Sequence, residues 1–179
     1  MHFKKWHTFV GILLICLSLV YLIYTPSERH TSSSPMVGKE IPSFSLSSLG
    51  SQREFDQEEI KGRPCLLTFF ASWCFSCRIE HKMLGETSQK YGIPLYGIAF
   101  QDNEEALKNW LSKFGDPYTI IGLDKMGHVG SEFEIIGVPE TFLIDENGVV
   151  QYHVQGALYS DEAIQGLETA LLKLGLTPR

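Results

Sequence analysis

Residues 70–81 read FASWCFSCRIEH, and two patterns meet inside them. Residues 64–71 (PCLLTFFA) form an unbroken apolar run of strand length, which predicts a buried central strand. Residues 74–91 (CFSCRIEHKMLGETSQKY) then carry Ile79, Met83 and Leu84 at the spacing of one face of an amphipathic helix, which stops near Gly92. Residues 94–102 (PLYGIAFQD) return as a second strand, and two apolar runs separated by a helix make a βαβ unit with a right-handed crossover. Cys74 and Cys77 therefore fall where a buried strand ends and a helix begins.

Working outward, Asn103 is placed to cap a helix over 103–114 that buries Ala106, Leu107, Trp110 and Leu111. Residues 118–123 read as a third strand, and a brief helix over 128–133 leads to Gly137-Val138-Pro139. Residues 140–145 and 149–154 flank Glu146-Asn147-Gly148, and Asn-Gly between two β-rich runs predicts a hairpin, so the last two strands are antiparallel. Residues 161–174 close the chain as an amphipathic helix with Asp161 as its expected N-cap. The sum is an α/β fold with a mixed central sheet and helices on both faces.

The first thirty-five residues differ in kind. Lys4 and Lys5 precede the uncharged stretch 8–24 (TFVGILLICLSLVYLIY), about 25 Å long as a helix and close to the thickness of a bilayer core. A cleaved signal peptide would end in small residues, and LVYLIYTPSER offers none; bulky Ile15 before Cys16 argues against a lipoprotein site. The reading is an N-terminal transmembrane helix acting as a signal anchor at 8–24, with residues 1–7 in the cytoplasm and the rest outside, following the lysines. In a bacterium this puts the C-terminal domain in the periplasm, anchored to the inner membrane. Residues 25–35 (TPSERHTSSSP) form a Ser/Thr/Pro-rich tether, and 36–179 the globular domain. From residue 36 on there are twelve Lys or Arg against twenty Asp or Glu, a net −8, which gives no electrostatic footprint for nucleic acid.

Of four cysteines, Cys16 lies in the span and Cys65 in the apolar run, where a buried core thiol is expected. Cys74 and Cys77 are left to act together. A C-x-x-C pair in a βαβ unit is the thioredoxin-like redox signature: Cys74 at a helix start meets unpaired N–H groups and the positive end of the dipole, which favour a thiolate, with Cys77 one turn on to resolve. Other readings are weaker. Covalent haem attachment needs His after the second cysteine, where Arg78 stands. Zinc lacks a second ligand pair, His81 as a copper ligand lacks the C-x-x-x-C spacing, and a purely structural disulfide over so short a loop removes little chain entropy. No metal and no bound cofactor is expected.

The stretches WCFSCRIEH (73–81), GVPETFLIDENG (137–148) and YHVQGAL (152–158), in this order, resemble the DsbE/CcmG family, membrane-tethered thioredoxin-like thiol reductases of cytochrome c maturation. VGKEIPSFSLSSL (37–49), GRPCLLTFFASWC (62–74) and KFGDPYTIIGLD (113–124) extend the resemblance over nearly all of 36–174. It implies catalytic Cys74 and Cys77, a cis-proline at Pro139 beside the disulfide, and a substrate groove formed with Trp73 and Val138. It also implies supporting acid/base roles for Glu80 and Glu140, whose carboxylates would disfavour the thiolate and make the couple more reducing, at about 30 mV per 1.4 kcal/mol. Thr68 stands where thioredoxin has a buried Asp, so the two glutamates are expected to handle the proton instead. Phe75 and Ser76 replace the Pro-containing pairs of relatives.

The implied function is disulfide reduction in an oxidising compartment, on apocytochrome c or a maturation dithiol protein, with electrons from a membrane donor of the DsbD or CcdA type. A ResA-like or TlpA-like reductase of another client would share Glu80 but usually not Pro-Glu-Thr. An oxidant of the DsbA kind lacks the Glu pair and carries a helical insertion. A non-catalytic partner-binding module is the alternative from outside enzymology.

Overall fold

The computed structural model describes residues 34–179. The span read at 8–24 and most of the tether lie outside the described residues, among which no helix is long and apolar enough to cross a membrane. Cys65–Phe70 is buried at every position and is the middle strand of a five-stranded sheet. In chain order the elements are β1 (Ser45–Ser47), β2 (Glu54–Asp56), a 3-10 turn (Gln57–Glu59), β3 (Cys65–Phe70), α1 (Phe75–Tyr91), β4 (Leu95–Phe100), α2 (Glu104–Phe114) and β5 (Ile120–Asp124). Then follow α3 (His128–Glu132), β6 (Glu140–Ile144), β7 (Val150–Gln155) and α4 (Asp161–Lys173).

The sheet order is β5-β4-β3-β6-β7, with β3, β4 and β5 parallel and β6 and β7 antiparallel to their neighbours. Right-handed crossovers from β3 to β4 and from β4 to β5 run in the same direction across the sheet, so α1 and α2 share one face. On that face Leu66, Leu95 and Leu143 meet Leu84 of α1 and Leu167 and Leu171 of α4, while Leu107, Trp110 and Leu111 of α2 cover Phe70, Ala99 and Ile121. The alternate residues of β3, Cys65, Leu67 and Phe69, point the other way with Phe142 and Ile144, against Phe133 just past α3 and Phe55 of β2. Helices thus cover both faces of a mixed sheet, as the sequence predicts.

The hairpin follows its Asn-Gly signal. The Asp145 carboxylate accepts the N–H groups of Asn147 and Val149, each at 2.9 Å, and Gly148 takes φ +84°, which a side chain would resist. Asn103 caps α2 through the N–H groups of Glu105 and Ala106.

Four expectations are corrected. The buried face of α1 carries Cys77, Glu80, His81 and Leu84, while Ile79 is 53% exposed, because two polar side chains occupy core-facing positions that an apolar count passes over. The cap of α4 is Ser160, whose hydroxyl accepts the Ala163 N–H, and Asp161 is the first helical residue. Ala106 lies on the exposed side of α2. The packed chain begins by Ser34, buried and hydrogen-bonded to the Met36 N–H, two residues inside the stretch read as tether.

Phe69 ties the layers together, with ring centroids 5.1 Å from Phe133 and 5.9 Å from Phe142. Phe69→Ala is expected to lower the unfolding free energy by about 3–5 kcal/mol in urea titration. A loss below about 1 kcal/mol would show that the cavity collapses and that this face is not the rigid one.

Candidate active site

Beyond β3 the chain must leave the sheet and start a helix within four residues. Asp102, at the end of the neighbouring strand, holds the turn: its carboxylate accepts the Ser72 N–H at 2.5 Å and the Ser72 hydroxyl at 2.8 Å. The Cys74 N–H donates to the Ala71 carbonyl, which leaves Cys74 as the N-cap of α1. Its Sγ accepts the Cys77 N–H at 3.1 Å, one of the helix amides with no partner inside the helix. Cys74 and Cys77 are disulfide-bonded with a Cα–Cα separation of 5.3 Å. Cys74 is 7% exposed and Cys77 only 2%, so an incoming sulfur reaches Cys74 first.

Across from the disulfide lies the Val138-Pro139 peptide, in the cis form that the family resemblance implies. The Val138 carbonyl oxygen sits 3.6 Å from Cys74 Sγ, which makes this turn the neighbouring wall. Trp73, directly before Cys74, is 61% exposed and anchored by its indole N–H to the Gln101 carbonyl at 3.3 Å. Phe75 is also exposed, and it and Trp73 share a cleft with Cys74, so exposed apolar side chains stand beside the disulfide.

The two glutamates are both buried, but the sheet separates them. Glu140 pairs with Phe69 in the ladder and projects to the face away from α1. Its Oε1 accepts the N–H groups of Ile136 at 2.6 Å and Gly137 at 3.1 Å, and its Oε2 faces His153 Nε2 at 2.7 Å. A carboxylate only accepts, so His153 Nε2–H donates to it, and the Ser34 hydroxyl is hydrogen-bonded to Nδ1. The imidazole stacks on Phe142 at 3.9 Å. Both oxygens of Glu140 are thereby committed to holding the loop that carries Val138, rather than turned toward the sulfurs.

Glu80 lies on the α1 face, one turn beyond Cys77. Its Oε2 accepts the Leu158 N–H at 2.7 Å, while its Oε1 is buried with no partner among the described residues. Burial in apolar surroundings pushes its carboxyl up to about 7, against an ordinary 4.5. Nearby, Thr68 is fully buried; its hydroxyl accepts from Thr141 at 2.9 Å and donates to the Glu140 carbonyl at 3.4 Å. No titrating group takes the place of thioredoxin's Asp there.

His81 has both ring nitrogens engaged, Nε2 with the Gly115 carbonyl at 3.0 Å and Nδ1 with the Tyr118 hydroxyl at 3.2 Å. Burial holds its pKa below the usual value, so Nε2–H donates and Nδ1 accepts. A copper-ligand role for His81 has no free nitrogen to use. Among the described residues no group of three His, Cys, Asp or Glu is arranged to hold a metal. Cys65 is fully buried and its thiol is pushed up to about 12 by burial, which makes it inert toward disulfides. The sequence reading missed Asp102, His153 and Ser34; only the placement of Asp102 just after an apolar strand hinted at a role.

Comparison with known proteins gives the same answer as the geometry. The AhpC/TSA family profile matches residues 37–153. The thiol:disulfide interchange protein DsbE of Pseudomonas fluorescens biotype C is 34% identical over 165 residues, covering 90% of this chain and 89% of that protein. DsbE of Escherichia coli K12 is 38% identical over 127 residues, 70% of this chain and 68% of its own length. Among solved structures, a Chlorobium tepidum protein described as a DsbE superposes with a TM-score of 0.68 at 22% identity, over 77% of this chain and 96% of that one. A thio-disulfide isomerase from Thermus thermophilus gives 0.62 at 25% identity, over 78% and 97%. The chain therefore belongs to the AhpC/TSA family, with a thioredoxin-like fold, groups with the DsbE thiol:disulfide interchange proteins, and is a dithiol–disulfide oxidoreductase.

Proposed function

We propose that the protein works as a reductant in cytochrome c maturation, opening a disulfide of apocytochrome c or of a maturation dithiol protein. Residues 8–24 anchor it in the inner membrane, residues 1–7 remain in the cytoplasm, and residues 25–33 tether a periplasmic domain. Electrons come from a membrane donor of the DsbD or CcdA type. One observation carries the chemistry: Cys74 Sγ is the more exposed sulfur, at a helix start, facing the Cys77 N–H on one side and the Val138 carbonyl on the other. The DsbE relatives support the biological setting.

In the reduced protein the Cys74 thiolate attacks one sulfur of the client disulfide, forming a mixed disulfide and expelling a client thiolate. Cys77 loses its proton and attacks Cys74 Sγ, releasing the second client thiolate. The client gains two electrons and two protons; the protein is left with the Cys74–Cys77 disulfide, which the membrane dithiol donor reduces. Glu80, on the same buried helix face as Cys77, is the group suited to receive the Cys77 proton, because burial tunes it to about 7. Glu140 acts through the backbone, fixing the Val138 wall.

Cys74→Ser is expected to abolish client reduction, and Cys77→Ser to accumulate the mixed disulfide, visible as a reducible adduct on gels. Turnover surviving in either variant would remove the mechanism. Equilibration with glutathione is expected to give a potential well below the about −120 mV of a DsbA-type oxidant. A value at that level would reverse the direction of electron flow.

Glu80 also makes stability depend on pH in a fixed direction. Between its ordinary value of 4.5 and its folded value of about 7, the unfolded chain releases the proton while the folded chain keeps it. Stability therefore falls as pH rises through that window, by on the order of 3 kcal/mol once above it. Glu80→Gln should lack this component, so its stability relative to the parent rises from pH 4 to pH 8, and its rate profile should lose the inflection near neutrality. Parallel stability curves for the two proteins would show that the Glu80 carboxyl is not perturbed.

A further inference from the structure

A cleft of about 410 Å³ opens beside Cys74 between α1 and α2. Cys74 forms one edge, and Phe75, Arg78, Trp110, Lys113 and Phe114 supply much of the remaining surface. None of the lining residues is acidic, although the domain as a whole carries a net −8. The two cations are held by aromatic faces. The Arg78 guanidinium carbon lies 4.6 Å from the Phe75 ring centroid and 5.6 Å from that of Phe114, and Lys113 Nζ lies 5.3 Å from Phe114.

Among the described residues, seven lysines and arginines are ion-paired, and Arg78 and Lys113 are two of the five that are not. A guanidinium stacked on a ring keeps its in-plane N–H donors free, in the fork that matches a carboxylate. From the geometry we infer that this cleft is a specificity subsite, and that it takes an Asp or Glu side chain of the client, close in sequence to the client's reactive cysteine. An extended segment advances about 3.3 Å per residue, so a pocket bordered by Cys74 itself reads positions within about three residues of the attacked sulfur. The aromatic walls receive the methylene stem, and the two cations receive the carboxylate.

The inference rests on the reading that Cys74 attacks client disulfides, and one experiment separates the two. The full 179-residue chain, purified in detergent and reduced, is given synthetic peptides closed by a Cys-x-x-Cys disulfide. Each peptide carries Glu or Gln at one position within three residues of its first cysteine. For at least one position, the Glu peptide should be reduced with a kcat/KM about three- to tenfold above its Gln partner, the range open to a partly exposed charge pair. High salt should erode that preference. Arg78→Gln with Lys113→Gln should bring the ratio to about one, and Arg78→Glu should invert it. Lys82→Gln, on the same helix but paired with Glu86 away from the cleft, should leave the ratio unchanged. Equal reduction of all Glu and Gln pairs, or a preference that survives the double substitution, overturns the subsite alone. Failure to reduce any peptide overturns the reductase reading and the subsite with it.

Discussion

The hydrogen bond from the Cys77 amide to Cys74 Sγ concentrates what the rest of the domain is arranged to hold. That amide is free because the helix starts at Phe75, and the helix starts there because the chain leaves a completely buried strand through a turn pinned by Asp102. A thiolate at this point gains a donor and the positive end of a 17-residue helix, while the same contact keeps the second sulfur one turn away. Moving the junction by a residue would rotate Cys77 out of reach and aim the amide at solvent.

Around this contact the sheet sorts two acids into different jobs. Glu80 is left with one oxygen that has no hydrogen-bond partner among the described residues, and burial raises its carboxyl to about 7. Glu140 has every oxygen spoken for by backbone amides and by His153. Both residues are almost fully buried, Glu80 in the motif of the redox pair and Glu140 directly after Pro139, yet only Glu80 has an uncommitted oxygen among the described residues. The family resemblance groups them as equals; the ladder pairing of Glu140 with Phe69 sends its side chain to the opposite face.

What could be read in the sequence was local. The β3–α1 junction, the Asn-Gly hairpin and the Val138-Pro139 turn each announce themselves within a dozen residues, through apolar runs, turn chemistry or a cysteine spacing. The β1–β2 pair stayed hidden because its strands are three residues long, SLS and EFD, too short for alternation to register. The buried face of α1 is not legible in the sequence because Glu80 and His81 look like surface residues until their partners on Leu158, Tyr118 and Gly115 are known. The cationic cleft was invisible for a third reason. Arg78 and Lys113 are thirty-five positions apart and meet only because both crossovers have the same hand.

The Ser34 hydroxyl, His153 and Glu140 form an unbroken relay to the amides of the loop that carries Val138. A soluble fragment trimmed after Ser34 would strip His153 of the group on Nδ1 and slacken the carboxylate that keeps the loop in shape. Where the domain is separated from its N-terminal residues thus decides how firmly the wall beside the disulfide is formed.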